Sequence, residues 1–91
     1  MKKAIKLYIF GNVQGIFFRN FIKEKADEVG VKGYVRNKED GSVECWFEGD
    51  IDKVEKLIEI CSTQHKDAVI KRIDKIEEKF QNFKEFKIIY F

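Results

Sequence analysis

Four stretches of the chain alternate between apolar and polar residues, which is the pattern of a β-strand with one buried face. They are residues 4–10, 31–38, 42–48 and 86–91. Asp40-Gly41, between the second and third stretches, is a strong signal for a hairpin turn. The alternation therefore predicts three longer strands, two of them joined in a hairpin, and one short closing strand.

Two further stretches repeat apolar residues at intervals of three and four, which is the period of a helix with one buried face. The first covers residues 18–29 and is followed by Gly30, a residue typical of helix C-termini. The second covers residues 51–61, and Asp50 in front of it is a suitable N-cap. We therefore expect two amphipathic helices, and a loop at the polar residues 62–67.

Residues 68–80 fit neither period cleanly. The apolar residues of this stretch are Val69, Ile70, Ile73, Ile76 and Phe80. Their spacing is nearer to that of a helix, but an edge strand with a β-bulge would also break strict alternation. Whichever form it takes, the charged residues of 71–79 are expected to form a solvated edge.

The element order is strand-helix-strand-strand-helix-strand, with the short extra C-terminal strand behind it. This order predicts an α+β two-layer sandwich, in which two helices cover one face of an antiparallel sheet. The chain has 91 residues, of which 44% are hydrophobic. That is enough for one core, so we expect residues 1–91 to form a single domain.

The charge balance argues against a polyanionic partner. Eighteen Lys and Arg residues nearly offset sixteen Asp and Glu residues, which leaves a net charge of +2. Duplex-binding domains usually carry a marked basic excess on one face. No stretch approaches the length of a membrane span. We therefore expect no nucleic-acid partner and no membrane partner.

The termini and cysteines indicate a cytoplasmic protein. The apolar run behind residues 1–3 is short and broken by Lys6, unlike a signal peptide. Cys45 and Cys61 fall on apolar faces, and a small secreted scaffold would normally carry more than two cysteines. We expect two buried, reduced thiols in a cytoplasmic monomer.

The link between the first strand and the first helix, residues 11–19, reads Gly-Asn-Val-Gln-Gly-Ile-Phe-Phe-Arg. Gly11 and Gly15 allow a tight turn and a close approach of backbone N–H groups to an anion. A helix N-terminus adds unpaired N–H donors and a positive dipole end. Arg19 opposes that dipole end, which suggests an anion that offsets both positive charges.

We interpret residues 11–19 as a cradle for a phosphate-sized oxyanion, with Arg19 as its bidentate clamp. A second interpretation is open, because glycine-rich turns and solvated arginines also occur without a ligand. The position of Asn37 helps to distinguish an anion-binding loop from a turn without a ligand. A right-handed strand-helix-strand unit makes the second strand parallel to the first, so Asn37 at its end reaches the same sheet edge. An amide there could hold a water beside the anion, or could simply serve turn geometry.

The stretch at residues 11–19 resembles the signature of acylphosphatases: a glycine, Val-Gln-Gly, an aliphatic residue, a variable residue, an aromatic residue and arginine. Gly33-Tyr34-Val35-Arg36-Asn37, followed by Asp40-Gly41-Ser42-Val43, resembles the second motif of that family. The resemblance covers residues 5–49. It weakens after residue 60, where many members carry a Gly/Pro-containing turn and this chain has the polar residues 62–67.

The resemblance implies a ferredoxin-like fold and hydrolysis of the carboxyl-phosphate bond of small-molecule acyl phosphates, without a metal or other cofactor. It implies that Arg19 binds the phosphate and that Asn37 orients the attacking water. The loop amides that would bind phosphate are those of Val13, Gln14, Gly15, Ile16, Phe17 and Phe18. Inorganic phosphate would bind at the same place.

The residues themselves are compatible with this reaction. A carboxylate leaving group has a conjugate-acid pKa near about 4, so it departs without a strong general acid. His65 is the only histidine and has no Cys/His cluster around it at ligand spacing, so we expect no metal site. Cys45 is expected to be a packed thiol rather than a nucleophile. Its neighbours Glu44, Trp46 and Glu48 are expected on an exposed sheet face.

The alternative is a non-catalytic βαββαβ module that binds single-stranded RNA, because the RNA-recognition motif has this element order. Residues 7–12 resemble the first motif of that domain. Its third strand should carry a basic-Gly-aromatic-Gly-aromatic pattern. In this chain Glu44 and Glu48 would instead face the RNA and repel its backbone.

Overall fold

A computed structural model gives the structure of the chain over residues 1–65 and 68–90. Its elements are β1 (Lys2–Asn12), α1 (Ile16–Val29), β2 (Lys32–Asn37), β3 (Val43–Asp50), α2 (Ile51–Thr63), β4 (Val69–Glu78) and β5 (Phe86–Ile89). The five strands form one sheet in the order β4-β1-β3-β2-β5. Both helices pack on the same face, so the predicted ferredoxin-like α+β two-layer sandwich is confirmed.

The sheet is mixed: the antiparallel arrangement predicted from the sequence extends over four strands, and the fifth strand, whose pairing the sequence left open, is parallel to its neighbour. Four strands, β4-β1-β3-β2, are antiparallel to their neighbours, as expected. The C-terminal strand β5 pairs in parallel with β2. The direction of β5 follows from the path of the chain. β4 ends beside the beginning of β1, so residues 79–85 start at that end of the sheet and cross to the opposite edge. There β5 begins beside the beginning of β2 and runs in the same direction.

The ambiguous stretch at residues 68–80 contains the edge strand β4, which pairs with β1 along its length. The register shifts between Phe10 and Gly11, and this irregularity explains the broken alternation. Gly11 has φ +139, and a Cβ built on it would lie 2.0 Å from the carbonyl oxygen of Val69. Only glycine allows β4 this close approach.

Both predicted helices are present, with shifted ends. α1 begins at Ile16, and Gly30 ends it in the left-handed conformation, as expected. α2 extends to Thr63, so the loop predicted at residues 62–67 was wrong for its first two residues. The hydroxyls of Ser62 and Thr63 donate to carbonyls four residues earlier in the helix, which lets polar residues continue it. Residues 66 and 67 of this loop, and residue 91 of the predicted closing strand, lie outside the described part of the chain.

The core lies between the sheet and the helices. Its large members include Leu7 and Ile9 from β1, Ile22 from α1 and Leu57 from α2, all with no exposed surface. The core also contains both thiols, which are free and buried. Burial raises the pKa of Cys61 to about 12 and that of Cys45 well above its usual range, so neither is an activated nucleophile.

The other face of the sheet is also covered, contrary to expectation. Glu44, Trp46 and Glu48 are 5%, 7% and 0% exposed. The two carboxylate oxygens of Glu48 accept the backbone N–H groups of Gln81 and Phe83, at 2.9 and 2.6 Å. Residues 79–85 cross this face to reach β5 and cover Trp46 and Glu48. The Glu44 carboxylate instead accepts hydrogen bonds from Tyr34 and Arg36 of β2.

Candidate active site

The predicted site residues gather at one edge of the sheet. β1 and β2 both run antiparallel to β3, which lies between them, so the two strands end at the same edge. The residues after β1 lead into α1, and β2 ends at Asn37. The structure therefore brings residues 13–19 and Asn37 to the same side of the molecule.

A side-chain contact ties these two segments together. The Gln14 Nε2 donates to the Ser42 carbonyl at 3.1 Å and to the Lys38 carbonyl at 3.3 Å. Both carbonyls belong to the β2–β3 hairpin that begins directly after Asn37. Asp40 braces this hairpin, because its Oδ1 accepts hydrogen bonds from the Ser42 hydroxyl and backbone N–H at 2.6 and 2.9 Å. The same two hydrogen bonds lower the pKa of Asp40.

The start of α1 presents unpaired backbone donors. Gly15 occupies the N-cap position with φ +119, a conformation that favours glycine, and provides no side-chain cap. The first turn of α1 contains no acidic residue. The N–H groups of Ile16, Phe17 and Phe18 therefore lack intrahelical acceptors and lie at the positive end of the helix dipole. These donors can bind an oxyanion.

Arg19 lies in the first turn of α1, beside these donors. Its Nε donates to the Gly15 carbonyl at 3.5 Å, and its guanidinium carbon lies 5.3 Å from the centroid of the Tyr90 ring. Its two terminal nitrogens have no hydrogen-bond partner among residues 1–65 and 68–90. The loop carbonyl and the aromatic ring thus hold the guanidinium while its terminal N–H groups are available to a ligand.

Asn37 carries an unusual polar atom. Its Oδ1 is buried and has no hydrogen-bond partner within the part of the chain that the structure describes. Leaving a buried acceptor unpaired costs about 1–3 kcal/mol, so a donor is expected there. A water molecule can supply that donor and keep an oxygen lone pair for chemistry.

Two features of this edge were not predicted. Tyr90 contacts Arg19 because β5 is parallel to β2 and ends at the same edge of the sheet. The alternation at residues 86–91 predicted a strand but did not show which strand it pairs with. His65 and Ala68 line a cavity beside the loop. Only the departure of residues 62–67 from the Gly/Pro-containing turn indicated that this region is particular to the chain.

Among residues 1–65 and 68–90, no group of three or more His, Cys, Asp and Glu side chains is arranged to hold a metal ion. None of the described helices is both long and apolar enough to cross a membrane.

Comparisons with known proteins converge on one family. The Acylphosphatase family model matches residues 5–88. An acylphosphatase of Thermoplasma volcanium is 42% identical over 83 residues, which are 91% of this chain and 92% of that protein. The crystal structure of acylphosphatase from Bacillus subtilis aligns with this chain with a TM-score of 0.91 and a sequence identity of 27%. The alignment covers 99% of this chain and 100% of that one. An acylphosphatase from Coxiella burnetii has a TM-score of 0.90 and 27% identity, covering 97% and 93%.

Proposed function

Since the chain belongs to the acylphosphatase family and is an enzyme that hydrolyses acyl phosphates, we propose that its phosphate site is the loop at residues 13–18 together with Arg19. We further propose that Asn37 holds the attacking water. The observation that carries the proposal is the position of the Asn37 Oδ1. Among residues 1–65 and 68–90 this oxygen is a buried acceptor without a hydrogen-bond partner, at the same sheet edge as the unpaired amides of α1.

The reaction exchanges one bond to phosphorus for another. The water oxygen forms a bond to phosphorus while the bond between phosphorus and the carboxyl oxygen breaks, and its electron pair leaves on the carboxylate. One water proton stays on the phosphate product and the other passes to solvent. Because the conjugate acid of the leaving group has a pKa near about 4, no side chain must protonate it.

The demand on the protein is therefore electrostatic. In-line phosphoryl transfer passes through a loose transition state with negative charge on the three equatorial oxygens. The amides at the start of α1 and the terminal nitrogens of Arg19 are fixed donors for those oxygens. The Oδ1 of Asn37 accepts a hydrogen bond from the water, which directs a lone pair of the water oxygen at phosphorus. Gln14 fixes the distance between the two groups through its hydrogen bonds to the hairpin.

We also propose that the enzyme acts without a metal or other cofactor, as a monomer in the cytoplasm. The low basicity of a carboxylate leaving group supports the first point. The free, buried thiols of Cys45 and Cys61 fit a reducing compartment. The RNA-binding alternative is not favoured, because the face that would bind RNA is covered by residues 79–85 and contains the buried carboxylates of Glu44 and Glu48.

Hydrolysis of benzoyl phosphate by the purified chain, measured with and without a chelator, tests the metal-free reaction. We expect equal rates under the two conditions and competitive inhibition by inorganic phosphate. Loss of activity with the chelator, restored by a divalent ion, would contradict the metal-free mechanism. Size-exclusion chromatography with light scattering would check the monomer.

A further inference from the structure

A cavity of about 230 Å³ adjoins the loop on the side of the α2–β4 connection. Val13, Gln14, Phe17 and Phe18 line it from the loop and α1, and His65 and Ala68 line it from the other side. Ligand pockets for drug-sized molecules have volumes of roughly 300–1,000 Å³. This cavity is therefore of the size for a small group, and it shares a wall with the proposed phosphate site.

The sheet order places this cavity opposite Asn37. β1, from which the loop emerges, lies between β4 on one side and β3 and β2 on the other. Asn37 ends β2, whereas Ala68 precedes β4. An in-line displacement requires the water and the leaving group on opposite sides of phosphorus. With the water at Asn37, the acyl group of the substrate must leave toward the cavity.

The walls of the cavity are aromatic and partly fixed. Phe18 is 3% exposed and belongs to the core. The His65 ring stands edge-on to Phe18 and to Phe21, with centroid separations of 5.5 and 4.9 Å. Such edge-to-face contacts hold a ring in a defined orientation. The cavity therefore has a preformed aromatic side, as sites for flat apolar groups do.

Phe17 forms the rim of the cavity and is 79% exposed. Burying a phenylalanine side chain stabilises a protein because apolar surface is removed from water, and Phe17 gains little of this stabilisation in the free protein. A ligand in the cavity would cover the ring. Phe17 also occupies the variable position of the family signature, so its aromatic ring is a property of this chain rather than a requirement of the phosphate loop.

We propose that this cavity is the subsite for the acyl group, and that Phe17 makes the enzyme selective for flat, apolar acyl groups such as aryl groups over acetyl. The inference rests on the proposed phosphate site. Phe17 acts here through its ring, whereas phosphate binding uses only its backbone N–H. Substitution of the ring therefore separates the two roles.

The test compares kcat/KM for benzoyl phosphate and acetyl phosphate in the wild type and in Phe17→Ala. We expect the benzoyl-to-acetyl ratio to fall about tenfold or more, a range typical of lost apolar pocket contacts. The inhibition constant of inorganic phosphate should stay within about twofold, since the amide is retained. Phe80→Ala is the matched control, because Phe80 is 40% exposed and lies near Lys2 at the opposite edge. We expect its ratio to equal that of the wild type.

Ala68→Phe is a second variant, which fills the cavity from the side of the α2–β4 connection and leaves the sequence of the loop unchanged. We expect it to lower kcat/KM for benzoyl phosphate while that for acetyl phosphate changes little, and it carries the test if Phe17→Ala does not fold. If a folded variant keeps the wild-type ratio of kcat/KM for benzoyl phosphate over acetyl phosphate, or loses kcat/KM equally for both substrates, the proposed acyl subsite is wrong. The proposed phosphate site would not be affected by that result. A wild type that is inhibited by phosphate but hydrolyses neither substrate would overturn the proposed function, and this inference with it.

Discussion

The side-chain amide of Gln14 donates a hydrogen bond to the carbonyl of Ser42 at 3.1 Å. The two residues are 28 positions apart, and their contact joins the phosphate loop to the hairpin that follows Asn37. Gln14 therefore sets the spacing between the two halves of the proposed active site. We propose that its side chain acts on the reaction through this spacing, without touching the substrate.

Replacement of this amide tests that spacing. We expect Gln14→Leu to lower kcat for benzoyl phosphate about tenfold or more, because displacing reacting groups by about 1 Å can cost 10²-fold. The free energy of unfolding should fall by only about 0.5–1.5 kcal/mol. Gln81→Leu is the control, since Gln81 also donates to a backbone carbonyl but lies on the face away from the helices. Equal kcat in both variants would remove Gln14 from this role.

Arg19→Gln should leave the fold intact and lower kcat/KM by about 10²–10³, because the transition state loses a fixed cationic donor. The inhibition constant of phosphate should rise as well, since the same guanidinium binds the product. Arg72→Gln is the control, because Arg72 also contacts an aromatic ring, that of Phe10, but is exposed on the edge strand β4. Steady-state measurement of kcat/KM for both variants tests this prediction, and we expect the wild-type value for Arg72→Gln. Wild-type turnover in Arg19→Gln would exclude the arginine from the mechanism.

Asn37→Ala should lower kcat while phosphate still binds competitively with nearly unchanged affinity. The amide is proposed to hold the water and not the phosphoryl oxygens, so its loss affects the chemical step alone. Asn20→Ala, on the exposed surface of α1, is the control. An unchanged kcat in Asn37→Ala would reject the water-positioning role.

Glu44 should contribute stability that depends on pH. Burial alone would raise its pKa, but hydrogen bonds from Tyr34 and Arg36 outweigh this and lower it below its usual value of 4.5. A carboxylate with a lowered folded-state pKa stabilises the fold above its unfolded-state pKa, and this contribution is lost as pH falls through the folded-state value. Urea unfolding should therefore show Glu44→Gln less stable than wild type at pH near 7, with the difference shrinking below pH 4.5.

The control for this titration is Glu24→Gln, because Glu24 is exposed on α1. Its stability difference from wild type should be small at both pH values, as is usual for surface substitutions. If the difference between Glu44→Gln and wild type were the same at neutral and acid pH, the hydrogen bonds from Tyr34 and Arg36 would not favour the charged form of Glu44.

Glu48 should hold residues 79–85 on the sheet. Its carboxylate accepts the N–H groups of Gln81 and Phe83 and that of the Trp46 indole, at 2.9, 2.6 and 3.0 Å. Hydrogen bonds to a charged acceptor contribute roughly 1.5–3 kcal/mol each. We expect Glu48→Gln to lower the free energy of unfolding by about 2–4 kcal/mol. The emission of Trp46, the only tryptophan, should shift to the red as the segment detaches.

Measurement of kcat distinguishes a loss of stability in Glu48→Gln from damage to the proposed active site. Glu48 pairs with Ala4 and Lys32 at the beginnings of β1 and β2, at the edge opposite Asn37. Below the unfolding transition, Glu48→Gln should therefore retain the kcat of the wild type. A stability equal to that of the wild type would mean that the neutral amide holds residues 79–85 equally well.

The sequence by itself determined the local elements and the chemical types at the site. The spacing of apolar residues located both helices and the hairpin, since burial of one face dictates that spacing. Gly15 could be assigned to a turn and Arg19 to a helix start because the preferences of these residues are local. The two motifs together also indicated the family, and family models and structures confirm it.

Only the tertiary structure decided which surfaces are covered and which distant residues meet. Alternation along β3 separates two faces but does not show that residues 79–85 bury Glu48, or that Tyr34 and Arg36 bind the buried carboxylate of Glu44. The same holds for Tyr90, which reaches Arg19 because β5 crosses to the β2 edge. Strand pairing and crossing segments depend on contacts between residues far apart in the chain. The spacing of apolar residues along one strand does not show which strands lie beside it. For this reason the sequence did not predict the cavity beside the loop, which residues from distant parts of the chain form together.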